Sequence, residues 1–242
     1  MRARQSSLSK GCLAPRMAGI EWQEASVIYH QDPEVKTELL SRLRKKYLTD
    51  KPTPHLTELL YCLTRSWSDR FEPIASTDHE LILWCIGFGL EEVLLRDSSR
   101  DAALKSVERD GVWLTPDYVA GREMVDLKST RMYFNSAGVP SKGWPEGWIQ
   151  QFMAYAAQAG RTRYAVAVVA LGQANLFTGT FQFTQEELDN NWLYILGRRD
   201  AYNVFTSKRV KPQPFMWNKE WECEYCRYYL KCSVDRNKES AR

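Results

Sequence analysis

Histidine is scarce in this chain, with three in 242 residues. None of them joins cysteines or carboxylates in a metal-binding pattern, and His79 reads as a residue near the start of a helix. No apolar run reaches the roughly eighteen residues that a membrane-spanning helix needs. Arg2, Arg4, Lys10 and Arg16 make the N-terminus basic, but no apolar stretch follows them, so the pattern of a secretory signal is missing. The six cysteines are too sparse to staple a secreted chain of this length. They point instead to ligation in a reducing compartment, with the cytoplasm as the expected location. A glycine-rich phosphate loop with its lysine is absent, which excludes a motor driven by ATP, and no serine elbow marks a hydrolase nucleophile. Neither sign of charge dominates. The net charge of +3 permits a nucleic-acid partner without arguing for one.

What is present is material for a substantial core. Hydrophobic residues make up 44%, nine of them tryptophan, and charged residues 26%, as in an ordinary folded domain. Residues 1–20 read as a polar, basic tail. Helical spacing is expected over 32–47 and 55–70, separated by Pro52 and Pro54, with Leu56, Leu59, Leu60 and Leu63 on one face. The most hydrophobic helix is expected over 78–95, where Gly87 and Gly89 suggest a close packing contact. From about 107 the period changes. The run VWLTPDYV predicts a strand or strand pair interrupted at Pro116, and GREMVDLKST predicts its hairpin partner, turning at Gly121. Residues 133–145 predict a loop and 145–159 a helix. The β-branched run at 163–172 predicts a buried central strand, followed by a strand at about 177–183. Thr184 and Glu187 form a capping box that opens a helix to about 205. This order predicts the α/β class, a mixed sheet covered by helices.

Two groups of residues carry chemistry. Asp126 and Lys128 alternate within a predicted strand and therefore share one face. Asp117, expected on the preceding strand, brings a second carboxylate to the same sheet end. Oxygen ligands of this kind suit Mg²⁺ or Mn²⁺. A cation held by Asp117, Asp126 and the Leu127 carbonyl can polarise a phosphodiester, and Lys128 can orient water or offset developing charge. Glu123 is a spare carboxylate, and Asp110 is the substitute if the first strand is placed differently. Glu91 or Glu92, at the end of the apolar helix, can supply a further ligand. Gln151 and Tyr155 lie four apart on one helix face, able to contact phosphate or position the lysine. The second group is Cys223-x2-Cys226-x5-Cys232, half of all the cysteines. A fourth ligand can come from Cys62, Cys85 or Cys12, of which Cys62 has the most suitable setting. Four thiolates suit tetrahedral zinc or an iron–sulfur cluster, and spacing does not separate them.

Together these motifs resemble the PD-(D/E)xK nuclease superfamily, specifically the iron–sulfur branch containing CRISPR-associated Cas4 proteins and RecB- and AddB-type nuclease domains. The resemblance runs from about 56 to 232. Cys62 in CLTRSW, Glu91 in GFGLE, Asp117 in TPD, the pair Asp126 and Lys128, Gln151 with Tyr155, and the closing Cys223, Cys226 and Cys232 follow the family's order. The pattern departs in two places: Asp126 stands where glutamate is commoner, and Glu91 where many relatives carry histidine. The resemblance implies a restriction-endonuclease-like fold and a 4Fe–4S cluster tying the Cys62 segment to the C-terminal segment as a clasp. It also implies Mg²⁺- or Mn²⁺-dependent hydrolysis of single-stranded DNA or DNA ends, with 5′→3′ exonuclease polarity. Recombination, repair, CRISPR adaptation and viral DNA processing are the settings it brings, with proteins of recombination or CRISPR adaptation as partners. On this reading 21–235 is a single nuclease domain, with a helical part at 21–75, a core at 76–206 and a cysteine-bearing segment at 207–235. A polar tail is expected at 236–242. Arg65, Arg70 and Arg131 are candidates for a positive channel, and Tyr133, Phe134, Trp144 and Trp148 for stacking on bases. The alternative is a noncatalytic nucleic-acid-binding or assembly subunit of a recombination or spacer-acquisition complex, and a third reading is a zinc-stabilised structural domain.

Overall fold

The structure, a computed structural model, describes residues 33–47, 54–102, 106–120, 123–217 and 220–240. The expected tail at 1–20, and Cys12 within it, lies outside them. Helix α1 spans Pro33–Tyr47, close to expectation. The helix expected over 55–70 is two helices, α2 (Leu56–Leu60) and α3 (Leu63–Phe71). The break has a tertiary cause. Carbonyls freed at a helix end need donors, and the Arg198 guanidinium supplies them to Leu59 and, at 2.6 Å, to Tyr61. The Cys62 amide in turn donates to Glu222 Oε1 at 3.0 Å.

Helix α4 (Asp78–Ala102) outruns the expected 78–95. It starts at a capping box in which Thr77 Oγ1 accepts from the Glu80 amide at 3.1 Å, and Glu80 Oε2 from the Thr77 amide at 2.9 Å. Gly87 and Gly89 do not serve the expected close approach, for an added Cβ at either meets no described atom within 4 Å.

Strands β1 (Val107–Arg109) and β2 (Val112–Leu114) form a separate antiparallel hairpin. Asp110 and Gly111 turn it with φ values of 50° and 74°, the left-handed pair that a two-residue hairpin loop requires. The main sheet has the order β3-β4-β5-β6, with β3 at Tyr118–Ala120, β4 at Glu123–Thr130, β5 at Arg163–Ala170 and β6 at Asn175–Gln182. The β3–β4 and β5–β6 pairs are antiparallel, while β4 and β5 run parallel with Asp126 opposite Val166 and Lys128 opposite Val168. That parallel pair needs a crossover, and α5 (Glu146–Gln158) provides it. Central β5 buries Tyr164, Val166, Val168 and Ala170 at alternate positions and leaves the intervening ones half-buried. The continuous apolar run thus serves one fully covered face rather than two.

The core joins α2, α5, β5 and α6 (Gln185–Ser207) through Leu56, Leu60, Phe152, Tyr164, Trp192 and Ile195. Phe152 and Tyr164 stack with centroids 5.5 Å apart, so α5 lies directly on the sheet. The chain after α6 is more ordered than a polar tail. A 3-10 turn at Glu220–Cys223 leads to α7 (Tyr229–Ser240), which takes in residues 236–240 of the expected tail. No helix among the described residues is long and apolar enough to cross a membrane.

Candidate active site and cysteine cluster

Alternation along β4 turns Asp126 and Lys128 toward α5. Asp126 is fully buried and Lys128 nearly so. Lys128 Nζ lies 2.6 Å from Asp126 Oδ2 and donates to Gln151 Oε1 at 3.1 Å. Gln151 Nε2 donates to the Tyr155 hydroxyl at 3.0 Å, and that hydroxyl donates to the Thr115 carbonyl, also at 3.0 Å. A polar chain therefore runs from the lysine, through α5, to the loop two residues before Asp117. Asp117 lies in that loop, just ahead of β3 rather than on the strand expected for it, and its Oδ2 accepts from the Leu127 amide at 2.9 Å. Tyr155 is too buried to touch a phosphate. Of the two roles expected for Gln151 and Tyr155, the geometry favours positioning of the lysine and of the Asp117 loop.

Burial pushes the Asp126 carboxyl up to about 7, against the pull of Lys128 and with help from the charge of Asp117. Burial alone would lower the Lys128 ammonium, but the Asp126 and Asp117 carboxylates outweigh it and the net direction is up. Burial also raises the Tyr155 hydroxyl, which stays a neutral donor. Neither oxygen of Asp126 receives a well-aligned hydrogen bond. The Lys128 ammonium offsets part of its charge at Oδ2, but a second carboxylate stands close by and Oδ1 has no partner among the described residues, a costly burial that a further cation would relieve. The donor set thus fits a hard divalent ion.

Other sequence candidates fall elsewhere. Asp110 accepts the Trp192 indole N–H at 2.8 Å within the β1–β2 turn and is no substitute for Asp117. Glu91 is half-buried on α4, a helix that packs against β3 and β4, whereas Glu92 is exposed. The Glu123 side chain lies outside the described residues. Exposed His79 stands near the Tyr225 ring, 6.5 Å between centroids. Arg65 is engaged by Glu80 at 3.0 Å rather than held open for a strand. Phe134 is buried against Phe177 and Trp144, so it packs and does not stack on a base.

Cys62, Cys223, Cys226 and Cys232 line one small cavity, about 20 Å³ in volume, whereas Cys85 is half-buried on α4 and not part of that lining. Burial raises the Cys62 and Cys223 thiols and pushes Cys232 up to about 11. Cys62 and Cys226 act electrostatically on both Cys223 and Cys232. Among the described residues no three His, Cys, Asp or Glu side chains stand close enough to hold a metal ion as placed. Loading a metal group would therefore need the thiols to draw in and lose protons. The segment that brings them together is docked by charge. Arg227 pairs with Asp69 and, at 2.8 Å, with Glu80. Tyr228 Oη donates to Asp69 Oδ1 at 2.8 Å, and Lys231 Nζ to Glu72 Oε2 at 2.6 Å.

Sequence reasoning missed Arg198 and Glu222, which hold the Cys62 turn, and Tyr61 and Trp221, which stand next to clasp cysteines. The only signal for Tyr61, Trp221 and Glu222 was nearness to a cysteine in the sequence; Arg198 carried none. The Asp110-Gly111 hairpin signal and the Thr77-to-Glu80 capping box were legible and not read.

No family model matches the chain, and no curated protein matches it. Among solved structures, that of SSO0001 aligns over 83% of this chain and 97% of its own at 13% identity, with a TM-score of 0.51. That is a likeness of fold. Two looser alignments are with exonucleases. A phage-related exonuclease from Haemophilus somnus 129PT has a TM-score of 0.43 at 13% identity, over 64% of this chain and 83% of its own. The alkaline exonuclease LHK-Exo from Laribacter hongkongensis has a TM-score of 0.39 at 11% identity, over 70% and 97%. Those two scores carry no argument about this chain, so its activity has to be argued from Asp117, Asp126 and Lys128.

Proposed function

We propose that this protein is a metal-dependent DNA nuclease that hydrolyses phosphodiester bonds in single strands or at DNA ends. The observation that carries the reading is the buried Asp126, its Oδ1 without a partner among the described residues and its Oδ2 2.6 Å from Lys128, with the Asp117 loop pinned to the same strand. Asp117, Asp126 and the Leu127 carbonyl would hold Mg²⁺ or Mn²⁺, with Glu91 as a further ligand from α4. When bound, such an ion supplies Lewis-acid polarisation of the phosphate and a more acidic water. Lys128 stays charged at neutral pH and offsets negative charge developing on the phosphorane. Gln151 and Tyr155 restrict the lysine to one position, which keeps the entropy of orientation out of the barrier. Cys62, Cys223, Cys226 and Cys232 would hold a 4Fe–4S cluster, which supplies a structural cross-link between α3 and the C-terminal segment. The Cys62 setting and the common cavity support it. The 5′→3′ polarity and a role in recombination, repair, CRISPR adaptation or viral DNA processing rest on the resemblance alone, and the cytoplasmic location on the cysteine usage.

The test is an anaerobic preparation assayed with Mn²⁺ on labelled single-stranded, duplex and end-blocked DNA, alongside Lys128→Ala. Metal-dependent cleavage by the wild type that is lost in the variant supports the assignment. Binding without turnover would favour the noncatalytic reading, and undiminished cleavage by Lys128→Ala would refute the mechanism. A brown protein with visible charge-transfer absorption supports the cluster, whereas a colourless one carrying stoichiometric zinc contradicts it.

A further inference from the structure

A cavity of about 660 Å³ opens between the end of β4 and the start of α5, a size typical of sites for small organic groups. Thr130, on β4 two residues beyond Lys128, contributes to its lining, as do Trp144 and Trp148 from the start of α5 and the loop before it. Tyr61 and Trp221 complete it, their rings meeting edge to face with centroids 6.3 Å apart. Gly147 at the start of α5 faces Tyr61, whose ring an added Cβ would touch at 3.4 Å, an ordinary contact. Asp117, Asp126 and Lys128 are not in its lining, and Tyr61 and Thr130 are the wall residues nearest to them. The Tyr61 hydroxyl is raised chiefly by burial, and the charges of Lys128, Glu222 and Asp126 also act on it. Exposed Lys142 lies in the lining and can meet a phosphate.

Four aromatic side chains ring one opening; Trp144 and Trp148 pack partly on the core, while Trp221 keeps 53% of its surface exposed. Aromatic walls of this kind gain by stacking on any base, whatever its identity. A base paired within a duplex is stacked on its neighbours and cannot enter. Tyr61 and Trp221 also adjoin clasp residues, Tyr61 next to Cys62 and Trp221 two positions before Cys223. One wall of the cavity is therefore built by the cysteine-bearing segments.

We propose that this cavity is a nucleobase site, taking one unpaired base of a DNA strand whose backbone runs onto Lys128, with Trp221 and Trp148 as stacking residues. The proposal rests on the nuclease reading for the identity of the strand, and its test separates the two. Full-length protein is titrated in EDTA, where hydrolysis is blocked, with a labelled oligothymidylate and with oligomers carrying one abasic position each. One position should weaken wild-type binding by about tenfold, and Trp221→Ala should weaken binding of the intact oligomer by a similar factor. The two losses should not add, because they remove the same contact, and Trp221→Phe should restore most of the affinity. Trp221 is exposed, so its replacement leaves the core untouched; Trp148→Ala is the second variant and should show the same abasic dependence. The proposal is overturned if no abasic position changes affinity, or if the variant and abasic losses add in full. Absence of Mn²⁺-dependent cleavage together with the non-additive loss would remove the catalytic reading and leave the base site standing. Cleavage that is indifferent to both substitutions and to every abasic position would do the reverse.

Discussion

The acidic and lysine site and the cysteine clasp both gather buried ionisable groups, but they do so over different distances along the chain. Asp126 and Lys128 need only a strand, because alternation alone puts positions two apart on one face. Cys62 and Glu222, 160 positions apart, meet only when the C-terminal segment docks on α3. The first site can be specified by local geometry and then tuned by α5, which adds Gln151 and Tyr155. The second depends on a set of ion pairs, with Arg227 at its centre, that no local rule supplies. On the proposed reading the comparison separates a catalytic apparatus, whose failure would cost rate, from a cross-link, whose failure would cost stability.

Four measurements break or sharpen that separation. The largest effect is expected for Lys128→Ala, with kcat reduced at least about a hundredfold; because it also unpairs buried Asp126, its kcat is read well below its own thermal midpoint. Next is Arg227→Ala. It removes the ion pairs that dock the C-terminal segment, while Arg65 and Tyr228 still face Glu80 and Asp69, and should cost about 2 kcal/mol in urea unfolding, with the clasp lost before the sheet in hydrogen exchange. A large loss of kcat in Arg227→Ala at saturating Mn²⁺, with stability unchanged, would erase the distinction between the two regions.

The third is a pH effect at Asp126. Its ordinary value is 3.8 and its folded value about 7. Between these values the unfolded chain gives up the proton while the folded one keeps it, so stability should fall as pH rises through that window and level off above about 7. Lys128 adds no slope there, because its value is raised above 10.5. Thermal midpoints of metal-free wild type should decline from pH 4 to pH 7 by a few degrees, and those of Asp126→Asn should decline less. Mn²⁺ should raise the midpoint of the wild type and not of the variant. A flat profile in metal-free wild type would mean that Asp126 is solvated. The smallest effect, a control outside both regions, is Thr184→Ala. Thr184 Oγ1 accepts from the Glu187 amide at 3.1 Å, and its loss should cost about 1 kcal/mol with kcat unaltered.

Most of the core elements were legible in the pattern of residues. Helix α5, strands β4 to β6 and the Thr184 capping box lie close to where period and capping chemistry place them, since those signals act within a few residues. The errors share a cause. The helix over 55–70 breaks because Arg198 and Glu222 satisfy the backbone at Tyr61 and Cys62, and both come from the far end of the chain. Asp117 was placed on a strand because the Pro116 interruption does not say which strand follows. Gly87 and Gly89 looked like packing residues, but propensity does not reveal what lies opposite.

By itself the sequence determined the α/β class, the shared face of Asp126 and Lys128, and the closeness of Cys223 to Cys226, because each depends on spacings of two to four residues. Tertiary structure alone decided that α5 covers that face, so that Asp126 is stripped of water and Lys128 is held by Gln151. It also decided that Cys62 closes the cysteine set, and that Tyr61 and Trp221 stand together beside the site. The physical reason is the same in each case. Burial and long-range docking set the electrostatics of a group, and neither is written in the residues on either side of it.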